Sequence, residues 1–490
     1  MDQGFDAVDE KGVHYFTYGG DYGKNRPSDA NFLCNGIVNP DRNPHPAMAE
    51  VKYAYSDVAF EAVDAAAGKY KVKNRFYFTS LAGYSINWKI LENGKAIKSG
   101  KTVMNIPPQG EQIISVPVVK AKAGKEYLVT FSATTLRATA LVPAGHEVSH
   151  DQFAVSATPS MAAVKKAGAA LSVDNNGDQI VVKSAIVNFC FDKAKGMVTS
   201  YMVGGKEYFY EGFGIQPNFW RGPTDNDYGN RMPERLQIWK QSSTNFKVAK
   251  ASAAIEGVNA VLDVTYLLPA GNTFTLKYTV MPSGVVTVNG DFAALTQGEA
   301  AKGDVPRIGI RFRMPAADNN VQYYGRGPEE NYADRKMGTL IGVYSALADD
   351  MKYDYVRPQE CGHHTDTRWI TLSNASGAGL KVMSSVPFEF NALRNSVEDY
   401  DCEYNTNRPR QWHNFSAEEI ASHDDAAMKN KMRRQTHIND ITPRPFVEVC
   451  IDAKHAGVGG YDSWGSRPEQ RYLIPASEQH SFSFTMVPMK

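Results

Sequence analysis

The chain has 490 residues, beyond the roughly 250 to 300 at which a single hydrophobic core stops growing, so more than one domain is expected. Lysine plus arginine and aspartate plus glutamate balance at 53 each, which removes a basic field for nucleic acid and an acidic one for cations and leaves small neutral ligands as the best fit. No run of about 18 apolar residues is present to span a membrane, and Met1-Asp2-Gln3-Gly4-Phe5 has neither the charged region nor the apolar core of a signal peptide.

Residues 1–57 are unusual for an independent domain. His14 to Tyr18 predicts one short strand that ends at Gly19-Gly20; a Gly-, Pro-, Asn- and Asp-rich loop follows, then a short helix over Ala47 to Tyr55. One strand, a loop and a helix suit the last unit of a β/α barrel, with residues 19–36 as one of the loops on which such barrels carry their chemistry. Residues 58–155 change to alternating strands: Tyr70 to Thr79, Tyr84 to Leu91, Lys95 to Lys98, Gln112 to Val118 and Glu126 to Thr135, with Asn93-Gly94 as a two-residue hairpin turn. That spacing predicts an immunoglobulin-like sandwich. After a linker over 156–162, in a Ser-, Ala-, Thr- and Pro-rich stretch reaching Ala170, residues 163–490 read as strands almost to the end: Gln179 to Val187, Val258 to Tyr266, Phe274 to Met281, Val285 to Phe292, Arg307 to Met314, Leu380 to Ser384, Phe446 to Ile451 and Ser481 to Val487. A large antiparallel β-sandwich is the natural solution, since antiparallel strands need only short connections. Short helices are expected only over Ala417 to Ser422 and Asp425 to Arg434.

Within this last region Asn218 to Asn230, Asn-Phe-Trp-Arg-Gly-Pro-Thr-Asp-Asn-Asp-Tyr-Gly-Asn, concentrates turn formers, aromatics and carboxylates. Gly222-Pro223 should break the strand ending near Trp220, Asp225 and Asn226 can bond nearby backbone, and Gly229 can take positive φ, so a rigid corner followed by a loop is expected. The chemistry of the remaining motifs is thin. There is no Gly-x-Ser-x-Gly elbow or phosphate loop, and Gly212-Phe213-Gly214 meets Pro217 where a dinucleotide fingerprint needs glycine. His363-His364 with Asp366 hints at a metal, but neighbours on a strand point to opposite faces. Two carboxyls about 5 to 5.5 Å apart would suit a retaining glycosidase. The densest candidates, Asp225 with Asp227 and Glu329 with Glu330, are better explained by turn capping and by pairing with Arg326 and Arg335. Cys34, Cys190, Cys361, Cys402 and Cys450 lie far apart without a Cys-x-x-Cys, which fits free thiols of a cytoplasmic protein or a large secreted enzyme.

Several stretches together resemble the multidomain β-galactosidases of glycoside hydrolase family two: Gly19-Gly20-Asp21-Tyr22-Gly23, Asn31-Phe32-Leu33-Cys34-Asn35-Gly36, Pro44-His45-Pro46-Ala47, the corner at 218–230, Tyr324-Gly325-Arg326-Gly327-Pro328-Glu329-Glu330-Asn331-Tyr332 and Gly459-Gly460-Tyr461-Asp462-Ser463-Trp464. The resemblance is collinear over nearly the whole chain. It implies the C-terminal portion of such an enzyme: the end of the catalytic barrel, an immunoglobulin-like spacer and a large C-terminal sandwich, with both catalytic glutamates before Met1. It further implies a β-galactoside substrate, a Na⁺ site using the Phe32 carbonyl and Asn35 side-chain oxygen, a Mg²⁺ held by residues outside this chain, and a sugar stacked on Trp464 in the leaving-group position. The stretch after Gly229 matches a loop that opens and closes over the active site. The resemblance allows a homo-oligomer of the full-length enzyme. Where some relatives place an arginine two residues before the Phe, this chain has Ala30. The competing expectation is a non-enzymatic carbohydrate-binding or assembly module, which would have no reason to carry residues 1–57.

Overall fold

The Asn93-Gly94 pair takes positive φ at both positions, 47° and 76°, and joins Tyr84–Glu92 to Lys95–Val103 with Glu92 opposite Lys95, the two-residue hairpin its sequence asks for. The computed structural model that contains it describes residues 1–22, 30–156, 168–401, 422 and 436–490. The hairpin extends through Tyr127–Thr135 and Glu147–Ala154 into a four-stranded antiparallel sheet, and Val58–Asp64, Lys69–Asn74 and Glu111–Ser115 make a three-stranded one. Tyr70, Ile86 and Phe131 fill the space between the two layers, as expected of an immunoglobulin-like sandwich. Its second strand stops at Asn74 rather than running on to Thr79. The Asn74 amide donates to the carbonyls of Thr79, Ile106 and Pro107, and its side-chain oxygen accepts from Phe76 N, which folds the chain into a turn.

Beyond Ser172 the chain is antiparallel β in a five-stranded and a twelve-stranded sheet that share one core. The inward alternation is plain in Thr273–Val280, where Phe274, Leu276, Tyr278 and Val280 are buried in turn. The expected strand Gln179 to Val187 is two strands, Gln179–Lys183 and Val187–Asp192, because the Ser184 hydroxyl accepts from the amides of Ile186 and Val187 and closes a turn between them. Three strands that the sequence pattern did not reveal, Asn320–Gly327, Leu340–Leu347 and His364–Ser373, branch from the main order of the larger sheet. Nor did it reveal the helix Gln237–Thr244, which puts Trp239, Ser242 and Ser243 inside. One buried stripe on eight residues is too little periodicity to read. The helices expected over 417–422 and 425–434 lie outside the described residues apart from Ser422.

Residues 1–57 hold the expected strand at His14–Thr17, paired antiparallel with Phe5–Val8, a 3₁₀ turn at Ala30–Cys34 and the helix Ala47–Ala54. They are tied back at their start. The buried Asp2 carboxylate accepts from Gly36 N at 2.6 Å and lies 3.0 Å from His45 Nε2.

Candidate functional site

The corner at 218–230 is built in three steps. Phe219 N donates to Ser243 Oγ at 2.8 Å, drawing the chain away from the strand Gln216–Asn218, which ends two residues earlier than expected. Thr224 then caps a one-turn helix, Asp225–Gly229: its hydroxyl accepts from Asp227 N while the Asp227 carboxylate accepts from Thr224 N at 2.8 Å. Arg221 grips the same carboxylate with two guanidinium nitrogens, at 2.5 and 3.1 Å. Asp227 is therefore consumed inside its own corner. Where a loop was expected, a second short helix follows, Met232–Arg235.

The other side chains of the corner reach outward. Asp225 Oδ1 accepts from Asn31 Nδ2 and from Arg357, both at 2.6 Å, and Arg357 is held between this carboxylate and the Tyr228 ring. Burial pushes the Asp225 carboxyl up; Arg357 and Asn31 pull it back only in part, so it stays above the ordinary carboxylate range. Asn226 Nδ2 donates 2.8 Å to the Asp462 carbonyl. Gly229 is needed for close approach rather than for positive φ: a β-carbon there would lie 2.7 Å from both Gly465 Cα and the Trp464 carbonyl oxygen. One turn of helix thus holds two separate segments, the one carrying Phe32 and the one carrying Trp464.

Those segments meet. The Phe32 and Trp464 rings are 4.5 Å apart between centroids and tilted by 36°, and they remain 36% and 69% exposed. Trp464 sits on a loop shaped by Asp462, whose Oδ1 accepts from Trp464 N at 2.8 Å and Ser466 N at 3.2 Å; a hydrogen bond from the Ser466 side chain, together with these two amides, holds its pKa below the usual carboxylate value. Asp334 anchors the loop's root through the amides of Val458 and Gly459. Asn35, three residues after Phe32, is exposed and its side chain makes no hydrogen bond among the described residues. The result is an open aromatic ledge. Exposed aromatic faces of this kind offer a platform for the C–H face of a ring-shaped polar ligand.

Among the described residues, several carboxylates around the ledge are already engaged. Asp225 and Asp227 have the arginines described, Asp462 has two amides, and Asp21 accepts from Tyr18 N and pairs with His437. Farther off, Glu330 binds Arg335, the Tyr355 hydroxyl and Gly362 N at 2.5 to 2.6 Å. Arg326 pairs with Asp366, not with either glutamate. His363 and His364 do diverge, His364 toward the Arg326 carbonyl and His363 toward Glu389 and Asn391. Asn31 and Arg357 had not been singled out as partners of the corner. Asn31 lies in a motif that could have suggested it; Arg357 lies in a stretch with no motif at all.

Three protein-family models match in order along the chain: "Glycosyl hydrolases family 2, TIM barrel domain" over residues 1–60, "Beta-galactosidase, domain 4" over 70–156 and "Beta galactosidase small chain" over 183–486. Among curated proteins, the chain is similar to the β-galactosidase of Priestia megaterium, with 33% identity over 100% of the chain, to that of Halalkalibacterium halodurans, with 28% over 99%, and to that of Streptococcus thermophilus, with 27% over 100%. It spans 44% of the length of each of them. A galactose mutarotase related enzyme from Lactobacillus acidophilus overlaps 64% of the chain and 97% of its own at 8% identity and a TM-score of 0.33, too little to carry an argument.

Proposed function

Since the chain belongs to the β-galactosidase small-chain family, we propose that it is the C-terminal portion of a family two β-galactosidase and builds one wall of the sugar site without supplying the acid or the nucleophile. The substrate class is terminal non-reducing β-D-galactosides such as lactose, hydrolysed with retention. The observation that carries this reading is the exposed Phe32–Trp464 ledge, held from behind by Asp225, Asn226 and Gly229.

Stacking on Trp464 needs no charge, which agrees with a neutral ligand and with the balanced surface. Retention requires two free carboxyls across the scissile bond, and the described Asp225, Asp227 and Asp462 beside this ledge are committed to arginines and amides, which agrees with a reacting pair supplied from outside this chain. The Phe32 carbonyl lies in the last turn of Ala30–Cys34, where main-chain oxygens lose their helical donors, and the exposed Asn35 side chain, three residues on, makes no hydrogen bond among the described residues. Two neutral oxygens fit a hard monovalent cation, so Phe32 and Asn35 would hold part of a Na⁺ shell that orders the inner edge of the site. Mg²⁺ belongs to residues outside this chain in the same reading.

Trp464→Ala in the complete enzyme tests the ledge. Losing one aromatic contact costs on the order of 0.5 to 1.5 kcal/mol beyond area, so glucose as leaving-group or acceptor sugar should bind up to about tenfold more weakly. An inhibitor of the galactose subsite should bind nearly as before. Equal weakening of both ligands would contradict the assignment.

A further inference from the structure

Beneath the loop that carries Trp464, three buried side chains from remote parts of the sequence converge: Glu360 and His363 from the segment that follows Arg357, and His455 from the end of the strand Phe446–His455. One donor atom from each lies within 4.8 Å of the others, and the two imidazoles are 4.4 Å apart between centroids. We infer that Glu360, His363 and His455 form a binding site for a divalent transition-metal cation, which staples the root of the Trp464 loop to the segment that holds Asp225.

The hydrogen bonds argue for a cation at this point. His455 Nδ1 donates to the Ala456 carbonyl at 2.7 Å, which puts the neutral ring's lone pair on Nε2. That atom has no hydrogen-bond partner and faces Glu360 Oε1 at 3.6 Å. A histidine with one nitrogen on a backbone carbonyl and the other free is the arrangement of metal-bound imidazoles. His363 is held differently, with an acceptor at each ring nitrogen. Its Nδ1 is 3.0 Å from Asn391 Oδ1 and its Nε2 is 3.1 Å from Glu389 Oε2, both acceptors, since Asn391 Nδ2 donates to the Cys361 carbonyl and Oδ1 accepts from Arg307. A doubly protonated ring donates to both, whereas a neutral ring donates to one and leaves its other nitrogen available to a cation.

The charges agree. Arg307 neutralises Asp452 through two hydrogen bonds, but neither Glu360 nor Glu389 has a lysine or arginine within ion-pair distance among the described residues. Glu360 is buried and faces His455, and the partly exposed Glu389 faces His363. With both imidazoles neutral, a divalent cation supplies the positive charge that faces the buried Glu360, and two imidazoles with a carboxylate favour zinc-type ions over Na⁺ or Mg²⁺, which prefer oxygen alone.

The test uses the purified chain, stripped with EDTA and reloaded with Zn²⁺ or, for its visible spectrum, Co²⁺. About one equivalent should remain after gel filtration, Co²⁺ should show ligand-field bands without a thiolate charge-transfer band, and Zn²⁺ should raise the melting temperature. His455→Gln and His363→Gln should each weaken Zn²⁺ binding at least about tenfold while keeping the β circular-dichroism spectrum. Retention well below one equivalent by the unmodified chain overturns the inference, as does equal retention by the unmodified chain and both variants, which marks adventitious binding. Should a variant lose its fold, the unmodified chain still decides: no rise in melting temperature when Zn²⁺ is returned overturns the site.

Discussion

Asp225 is the residue whose neighbours the sequence motif conceals most. By composition it belongs with Asp227 in a capped turn, yet only Asp227 stays local, while Asp225 joins Asn31 to Arg357 across the molecule. Arg357 is buried, so removing its counter-ion leaves a charge without water. Asp225→Ala should therefore destabilise the chain by on the order of 3 kcal/mol, read as a lower denaturation midpoint. Asp225→Asn should cost less, because the amide oxygen can still accept from both donors. Equal stability of Asp225→Ala and the unmodified chain would show that Arg357 does not depend on this carboxylate. Legibility at this scale follows the range of each bond: the Thr224–Asp227 cap could be read from spacing, whereas the partner of Asp225 sits about 130 residues away in a stretch with no motif.

Among the elements, the hairpin at Asn93-Gly94 and the long alternating strands of the large sandwich were legible because turn chemistry and burial repeat locally. The strands Asn320–Gly327 and Leu340–Leu347 were not. The first is made of the motif Tyr-Tyr-Gly-Arg-Gly, in which glycine and arginine mask the alternation, and the second is only half-buried along its length. The ledge itself depends on two elements meeting at glycines. Gly465 has φ +114°, and a β-carbon there would lie 2.4 Å from the Gly229 carbonyl carbon. Gly465→Ala should displace the Trp464 loop from the helix Asp225–Gly229 at a strain of about 1 to 3 kcal/mol. In a sugar titration of the complete enzyme it should reproduce the loss caused by Trp464→Ala, with Trp464 still present. Unchanged binding of the leaving-group sugar in Gly465→Ala would show that the glycine contact does not position the indole.

For the molecule as a whole, residues 1–57 meet the large sandwich at Phe32 with Trp464 and Asn31 with Asp225, the junction to which the proposed function assigns the sugar site. That junction explains why neither half reads as a site alone. Aromatic ledge and corner are present together, and the described Asp225, Asp227 and Asp462 beside them are engaged. The proposed function is a division of labour, in which this chain shapes the sugar site while the proton donor and nucleophile come from elsewhere. Hydrolysis of a nitrophenyl β-galactoside by the homogeneous chain measures this most directly. No turnover above the buffer rate is predicted; turnover that disappears when a carboxylate within residues 1–490 is replaced would contradict the division and place the reacting pair inside this chain.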